Sequence, residues 1–561
     1  MKSLLHFLLF CTIFISCIAT AKAQESYMVH IDKPYYIAGE KIFYKLYYPE
    51  VKATAVIRVL LIDSNNNIVQ DLYSESTNSS YLASCIPIPF NYTSGNYRLA
   101  FNSNYKNAGQ EMEVNLAEID IPIYNDLTAG VLEESEVDLS STMIRNDIES
   151  TLRIDANLNN PTFSTREQVQ VDAAIKLENG QVVSNASVSV AVIPKMIEES
   201  TDDGFEYMSM GQRFEGSILP FLSEQVYVKG IVYNRGDRPV RLNVIGAYAD
   251  QYRSMQYTKS NTEGEFTMML PGLKGSQLVQ FLPYEQEIKD FKIKLTPPVI
   301  SEPQASSLVF NEDIAHVLEQ SKNRKKINQY FNRETIETNI SSRKETTSNE
   351  KSDVTFVVSE YEKFDQLYDF FSELITPLTF KKVKGEMVAS MNNPKSSLAV
   401  ATALPGNPLF IIDGQLTRNA EYAGKVKMSN IESIELIYSP DKLRKRFNVL
   451  GLSGVVIVNT ITPVFDFPRA DSDDIFRLNG LADQCTFDVF SSSSAMENIP
   501  HFQSTIYWNP DLLTDSNGNL QFNFDHTDDK GEFTIVIISQ DKEGNRGIQT
   551  LDYSVSANVI K

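Results

Sequence analysis

Four of the five histidines, those beyond the N-terminal segment, two carboxylate-rich turns and one Arg-Gly-Asp tripeptide are the residues whose type and spacing could do chemistry. His30, His316, His501 and His526 fall in different segments, and no His-x-x-x-His or Cys-x-x-Cys pair occurs, so metal catalysis has no evident ligand set. Neither a G-x-S-x-G elbow nor a Walker sequence is present, which leaves activated-serine and nucleotide chemistry without support. Asp515-Ser516-Asn517-Gly518 and Asp541-Lys542-Glu543-Gly544 begin like calcium loops but do not continue through twelve ligand positions. They are expected to be turns between strands. Arg235-Gly236-Asp237 sits at an expected hairpin tip, where a plain turn is the simpler account. The sequence therefore offers no catalytic residue, no cofactor-binding residue and no metal ligand, implies no cofactor, and points to a protein that is not an enzyme.

The elements behind these residues follow from composition. The chain has 561 residues, far beyond the ~250 to 300 at which one core stops growing, so several domains are expected. Its 26 Tyr and 31 Phe favour strands and can fill several cores. The formal charge is −21, so the overall field repels polyanions and no nucleic-acid partner is expected. Lys2, the apolar run Leu4 to Ile18 and Ala21-Lys22-Ala23 read as a secretory signal over 1–23 removed after Ala23; a lipoprotein cut before Cys17 is the alternative. No later stretch reaches the ~18 apolar residues of a spanning helix, so membrane attachment is expected to be at most peripheral or by a lipid anchor. Cys85 and Cys485 would then remain, 400 positions apart in different expected domains, and they read as two buried structural cysteines without a disulfide framework.

Along the chain, residues 25–125 show short alternating strands with turns about every ten residues, such as Ala55 to Leu61 and Ile68 to Leu72 around Asp63-Ser64-Asn65-Asn66-Asn67. Pro34 would block ladder pairing, Gly39 would permit a tight turn, and Tyr36, Phe43 and Tyr47 would face inward, with Lys33, Lys41 and Lys45 guarding an edge. Unguarded sandwich edges are the general binding feature to expect. An acidic connector lies near Glu133 to Asp138, and a second sandwich is expected over 146–222. A third is expected over 225–300, a helix and flexible linker over 305–352, a mixed α/β unit with a helix from Glu360 to Ile375 over 353–463, and a last sandwich with Trp508 in its core over 500–560.

Asp32-Lys33-Pro34-Tyr35-Tyr36 with Ala38-Gly39-Glu40, and Ser94-Gly95-Asn96-Tyr97-Arg98-Leu99, resemble the opening and closing strands of a macroglobulin-type domain of the alpha-2-macroglobulin superfamily. Leu152 to Ile193 extends that resemblance. Tyr227 to Val232 with Glu263 to Thr267 is similar to a passive carboxypeptidase-regulatory-like sandwich. Asn407 to Gly414, with Asp413-Gly414 as a hairpin turn, Ile431 to Ile437 and Gly451 to Thr460 together resemble the plug domain of TonB-dependent outer-membrane receptors. About a hundred residues follow, fewer than a receptor barrel of ~22 strands needs, so the chain is not expected to be the transporter itself. Thr505 to Pro510 and Gly531 to Val536 resemble the macroglobulin-family domain that precedes a thioester domain. The thioester needs Cys-Gly-Glu-Gln, whereas Cys485 lies between Gln484 and Thr486, so covalent trapping is not expected. The combination resembles envelope proteins of the Bacteroidota.

The expected architecture is mainly β: tandem macroglobulin/immunoglobulin-like sandwiches with one α/β plug-like domain. These resemblances imply an exported protein of the periplasm, outer membrane or cell surface that scaffolds or binds other envelope proteins, among them an outer-membrane barrel. Three alternatives are protease capture without a thioester, a hydrolase using surface carboxylates, and service as an accessory subunit of a TonB-dependent transport complex. The oligomeric state is left open.

Overall fold

The computed structural model describes residues 26–557 apart from 51–53, 79, 108–109, 128–149, 196–207, 214–221, 235, 243, 250–253, 284–290, 303–307, 309, 311, 332–351, 362, 375–376, 395–401, 463–473 and 493–498. The signal segment, the acidic connector, the linker over 345–351 and Arg235 lie outside the described residues. Two compact units form, one from 1–224, 298–338 and 482–561, the other from 225–297 and 339–481.

In the first unit, Ser26–Ile31 pairs antiparallel with Lys41–Tyr47, which pairs with Tyr81–Pro87; Met208–Arg213 completes this sheet beside Ser26–Ile31. The facing sheet runs in the order Tyr36–Ile37, Gln110–Tyr124, Gly95–Asn107, Val56–Ile62, Ile68–Glu75. Period-2 alternation puts Ile42, Tyr44 and Leu46 into the core between the sheets. Phe43 and Tyr47 therefore point to the other side, where they meet a separate cluster with Trp508. Of the three aromatics expected inward, only Tyr36 is in this core. Gly39 turns the chain at φ +96°, and a Cβ there would strike the Phe90 ring at 2.2 Å.

The second sandwich is built from both expected macroglobulin-like segments at once. Ser187–Pro194 lies between Tyr507–Leu513 and Gly531–Gln540, in a sheet completed by Arg546–Ser556 and Thr162–Ser164. Gln168–Leu177 lies between Leu152–Leu158 and Asn519–Asp525 in the facing sheet. Segments 146–222 and 500–560 thus contribute to one shared domain. The physical reason is that the apolar row Val169, Val171, Ala173 and Ile175 needs Leu520, Phe522 and Phe524 beside it to close a core.

This return of the chain also brings Cys485 to Cys85, with Cα atoms 5.6 Å apart and a disulfide between them. The expectation of two unlinked cysteines is corrected: sequence distance hid a spatial contact. The segment over 305–352 contains the expected helix. Its helix, Glu312–Tyr330, is docked: Ile314 and Leu318 pack on Ile37 and Tyr124, and Lys325 Nζ donates to Asp126 at 2.8 Å and to the Ala38 carbonyl at 2.7 Å.

In the second unit, the sandwich over 225–300 gains a strand from beyond the α/β segment, because Ile475–Asn479 pairs with Ser276–Pro283. The three plug-like pieces are neighbours in one mixed sheet ordered Val354–Val357, Ile431–Ile437, Val455–Thr460, Leu409–Ile412, Gln415–Thr417. Leu409–Ile412 runs parallel to Val455–Thr460. One face carries Leu367–Glu373 and Ala420–Gly424; the other packs Leu443, Phe447 and Leu450 with Tyr248 and Met255 of the adjoining sandwich. The helix expected from Glu360 to Ile375 is shorter, starting where the Asp369 carboxylate takes the Gln366 N–H at 3.1 Å.

Two outcomes test this topology. Removing 500–561 is expected to unfold 150–195, read as loss of protease protection there. Cys85→Ser is expected to lower the unfolding free energy of the first unit by about 2–4 kcal/mol, with the Cys85–Cys485 peptide pair recovered from a non-reducing digest of the wild type.

Candidate functional site

Buried titratable side chains gather on the face of the first sandwich that meets the second. Strand Lys41–Tyr47 alternates, so Phe43, Lys45 and Tyr47, which it does not give to its own core, enter this junction. Lys45 is fully buried there. Its Nζ donates to Ser187 Oγ at 2.7 Å, the Pro510 carbonyl at 2.6 Å and the Val188 carbonyl at 3.2 Å, and stands 4.0 and 4.3 Å from the Tyr81 and Tyr47 ring centroids. Burial pushes the ammonium well below its usual range, against a smaller opposing pull from Asp511. The Tyr81 hydroxyl in turn donates to Asp511.

Next to it, His30 Nδ1 lies 2.7 Å from Ser189 Oγ, and the Tyr47 hydroxyl is 2.7 Å from the same oxygen. A serine within reach of an imidazole is the beginning of a nucleophile–base pair. Here both groups are completely buried, and burial together with Lys45 lowers the His30 pKa to about 3. Such an imidazole holds no proton at neutral pH and is a weak base, while Ser189 cannot reach a substrate. The pair is a structural bond, and the His30 ring packs 4.9 Å from Trp508.

The motif Asp32 to Glu40 supplies the other end of the junction. Asp32 accepts from the Tyr36 hydroxyl at 2.6 Å, the Phe43 N–H at 2.9 Å and Thr505 Oγ1 at 2.5 Å. Burial nonetheless raises its pKa. Burial would also raise Glu40, but Lys33 Nζ at 2.7 Å holds that carboxyl below its ordinary value. Lys33 also donates to Ser504 Oγ at 2.6 Å. Lys33 and Lys45 are therefore not edge guards: their neighbourhood is an interface, and Lys41–Tyr47 is an interior strand. Lys41 alone of the three is exposed.

A second hub, which no sequence pattern announces, surrounds His526-Thr527-Asp528-Asp529. Arg166 grips Asp528 through two 2.7 Å bonds, Arg324 of the docked helix reaches Asp529 at 3.2 Å, and the His501 and Gln503 N–H groups donate to the same two carboxylates. Two adjacent aspartates before a strand carry no signal of this in sequence; Arg166 at φ +63° is the structural sign.

The remaining sequence candidates are dispersed. His316 is on the exposed side of the docked helix, and His526 is buried with Nδ1 on the Thr527 carbonyl at 3.1 Å. Asp515 folds its own turn by accepting from the Asn517 and Asn519 N–H groups at 2.8 Å, and Asp541 does the same with Asn545. Asp413-Gly414 is a two-residue hairpin turn with both φ positive. Gly236 and Arg238 donate their N–H groups to the Asn234 side chain, closing the turn that holds Asp237. Trp508 is buried as expected, yet between sandwiches. A polar cleft of about 650 Å³ lined by Asp155, Asp172, Asp515 and Gln521 opens on the second sandwich, but Gln521 and Arg153 already bond Asp172 and Asp155. Among the described residues, no group of three or more His, Cys, Asp or Glu is placed to hold a metal.

No protein-family model and no curated protein sequence matches the chain. Among solved structures it is similar to Salmonella alpha-2-macroglobulin reacted with methylamine, at 7% identity and a TM-score of 0.23, over 95% of this chain and 40% of that one. Trypsin-activated alpha-2-macroglobulin from Escherichia coli is matched at 8% identity and a TM-score of 0.23, over 95% and 42%. The Yersinia pseudotuberculosis adhesin InvE is matched at 11% identity and a TM-score of 0.12, over 52% and 66%. The chain spans about two-fifths of the length of the macroglobulins. At these TM-scores the likenesses carry no argument, and the architecture rests on the strand topology itself.

The junction makes a prediction about acid. His30 takes up a proton near pH 6.5 when unfolded but only near 3 when folded, so the unfolded chain binds more protons between these values. Stability is expected to fall as pH drops from 6.5 to 3, by up to about 5 kcal/mol from this group. His30→Gln, which keeps a partner for Ser189, is expected to flatten that part of the slope in urea unfolding followed by Trp508 emission; an unchanged slope would count against it.

Proposed function

We propose that this chain is a non-enzymatic binding and scaffolding protein exported to a bacterial envelope, acting by protein–protein contact at the outer membrane. The observation that carries the reading is the fate of the side chains that could do chemistry: Lys45, His30, Ser189, Asp32 and Glu40 are spent on joining two sandwiches. A fold that invests buried charges in fixing the geometry of two domains fits a rigid carrier of surfaces better than a catalyst. The Cys85–Cys485 disulfide fits an oxidising compartment, which supports export.

The location rests on resemblance. Macroglobulin-type segments combined with a plug-like unit suggest the Bacteroidota envelope, and the three plug-like pieces lying side by side in one sheet support reading them as a unit. The partners we propose are envelope proteins, with an outer-membrane barrel foremost among them.

Crosslinking in intact cells followed by membrane fractionation tests this. Recovery of the mature chain attached to an outer-membrane barrel is the expected result, reduced when the plug-like sheet is altered at its exposed residues. A partner-free soluble fraction would overturn the docking reading. Gross change of shape after limited proteolysis, with no crosslinked partner, would replace it by protease capture.

A further inference from the structure

We propose that the tip of the hairpin formed by Leu378–Val383 and Glu386–Asn393 is a contact point for anionic lipid headgroups. The last buried pair of this hairpin is Phe380 opposite Ala389. Beyond it, Lys381, Lys382, Val383 and Lys384 are all exposed, with Val383 half exposed at 50%. Among the described residues neither Lys381 nor Lys384 makes an ion pair. Lys382 contributes only to the field at Glu421, which is already paired with Lys425 at 2.7 Å. Three lysines and one carboxylate, Glu386 opposite Val383 across the turn, share this tip, which leaves it net positive with no ion pair among the described residues. This happens in a chain whose formal charge is −21.

Edge protection is the competing account, since lysines on an edge strand deter strand pairing. It covers Lys381 and Lys382 but not the turn. Lys384 and Gly385 form a two-residue turn with φ +52° and +91°. The first position of such a turn favours Asn, Asp or Gly, and a lysine there gives up local stability. Nor does edge protection explain an exposed valine held between lysines. A short apolar tip flanked by long cationic side chains matches the headgroup boundary of a membrane, where the apolar part enters and the ammonium groups stay with phosphates.

The acidic remainder of the chain does not forbid the contact. Lys381 to Val383 extend about 10 Å past the last buried pair at ~3.3 Å per residue, which exceeds the ~8 Å screening length at physiological salt. Glu386 on the turn and Glu421, already paired with Lys425, offset part of this charge and leave the tip net positive. Lipid contact here is independent of the scaffolding role: a scaffold that never touches lipid would fail this test alone.

The test is co-sedimentation of the full chain with vesicles of phosphatidylglycerol mixed with phosphatidylcholine, against phosphatidylcholine alone, at low and high salt. Binding to the anionic vesicles that weakens with salt is expected. Each lysine removed should weaken it about fivefold, and Lys381→Gln, Lys382→Gln and Lys384→Asn together should abolish the difference between the two lipids. Lys384→Asn alone separates the readings, because it should weaken vesicle binding while leaving the thermal midpoint equal or higher. Anionic-vesicle binding unchanged in the triple variant, or absent in the wild type at low salt, would overturn the proposal. Binding to polyglutamate without binding to vesicles would overturn it in favour of an acidic protein partner.

Discussion

The first unit depends on the pairing of Ser187–Pro194 with Gly531–Gln540, whose register runs unbroken from Ser187 opposite Gln540 to Pro194 opposite Phe533. Seven of the eight residues in Ser187–Pro194 are buried, so this strand cannot remain at an edge; it must be covered on both sides and on both faces. Closing a loop of several hundred residues is costly, but the cost grows only logarithmically with length, whereas the apolar rows it buries grow with every paired residue. Once that pairing forms, Tyr507–Leu513 is delivered to the other side of Ser187–Pro194. Trp508, Pro510 and Asp511 then arrive where the first sandwich presents His30, Lys45 and Tyr81.

The junction that results is unusual for its polarity. A buried ammonium and a buried imidazole side by side are expensive, and neither is compensated by a full ion pair; instead hydroxyls and carbonyls surround them. Directional bonds of this kind define one orientation, where a purely apolar contact would tolerate several. Removing one partner would strand the other without solvent, so the two sandwiches are held in a single relation by the penalty for leaving it. The disulfide and the docked helix act in the same sense from other positions within the unit, through Cys485 on Cys85, Lys325 on Asp126 and Arg324 on Asp529.

Strand positions were legible in the sequence because alternation is local: Ile57, Val59 and Leu61 or Val169, Val171 and Ala173 announce their period within a few residues. The mixed sheet was legible as three apolar runs that pair with one another. Which segments share a core was not legible, since both macroglobulin-like segments have the same alternation and nothing local says that neither is complete. The same limit hid the disulfide and the strand Ile475–Asn479, each a contact between residues hundreds of positions apart or separated by another folded segment. The lysines show a different limit. Lys33, Lys41 and Lys45 look alike in sequence, and only the identity of the neighbouring surface decides that one is in water and two are buried.

Lysines also mark where structure ends and function begins in such a chain. In the junction, charged residues are buried, bonded and answerable to the fold, so their chemistry is exhausted by structure. At the Lys381–Lys384 tip, charged residues are exposed, without an ion pair among the described residues, and placed on a turn that would be more stable without one of them. Residue type is the same in both places; what differs is whether the free energy of keeping the charge there is returned within the molecule. Where it is returned, as for Lys33 on Glu40, the residue explains the architecture. Where it is not, the return has to come from outside, and the search for a partner begins with those residues rather than with the most chemically suggestive ones.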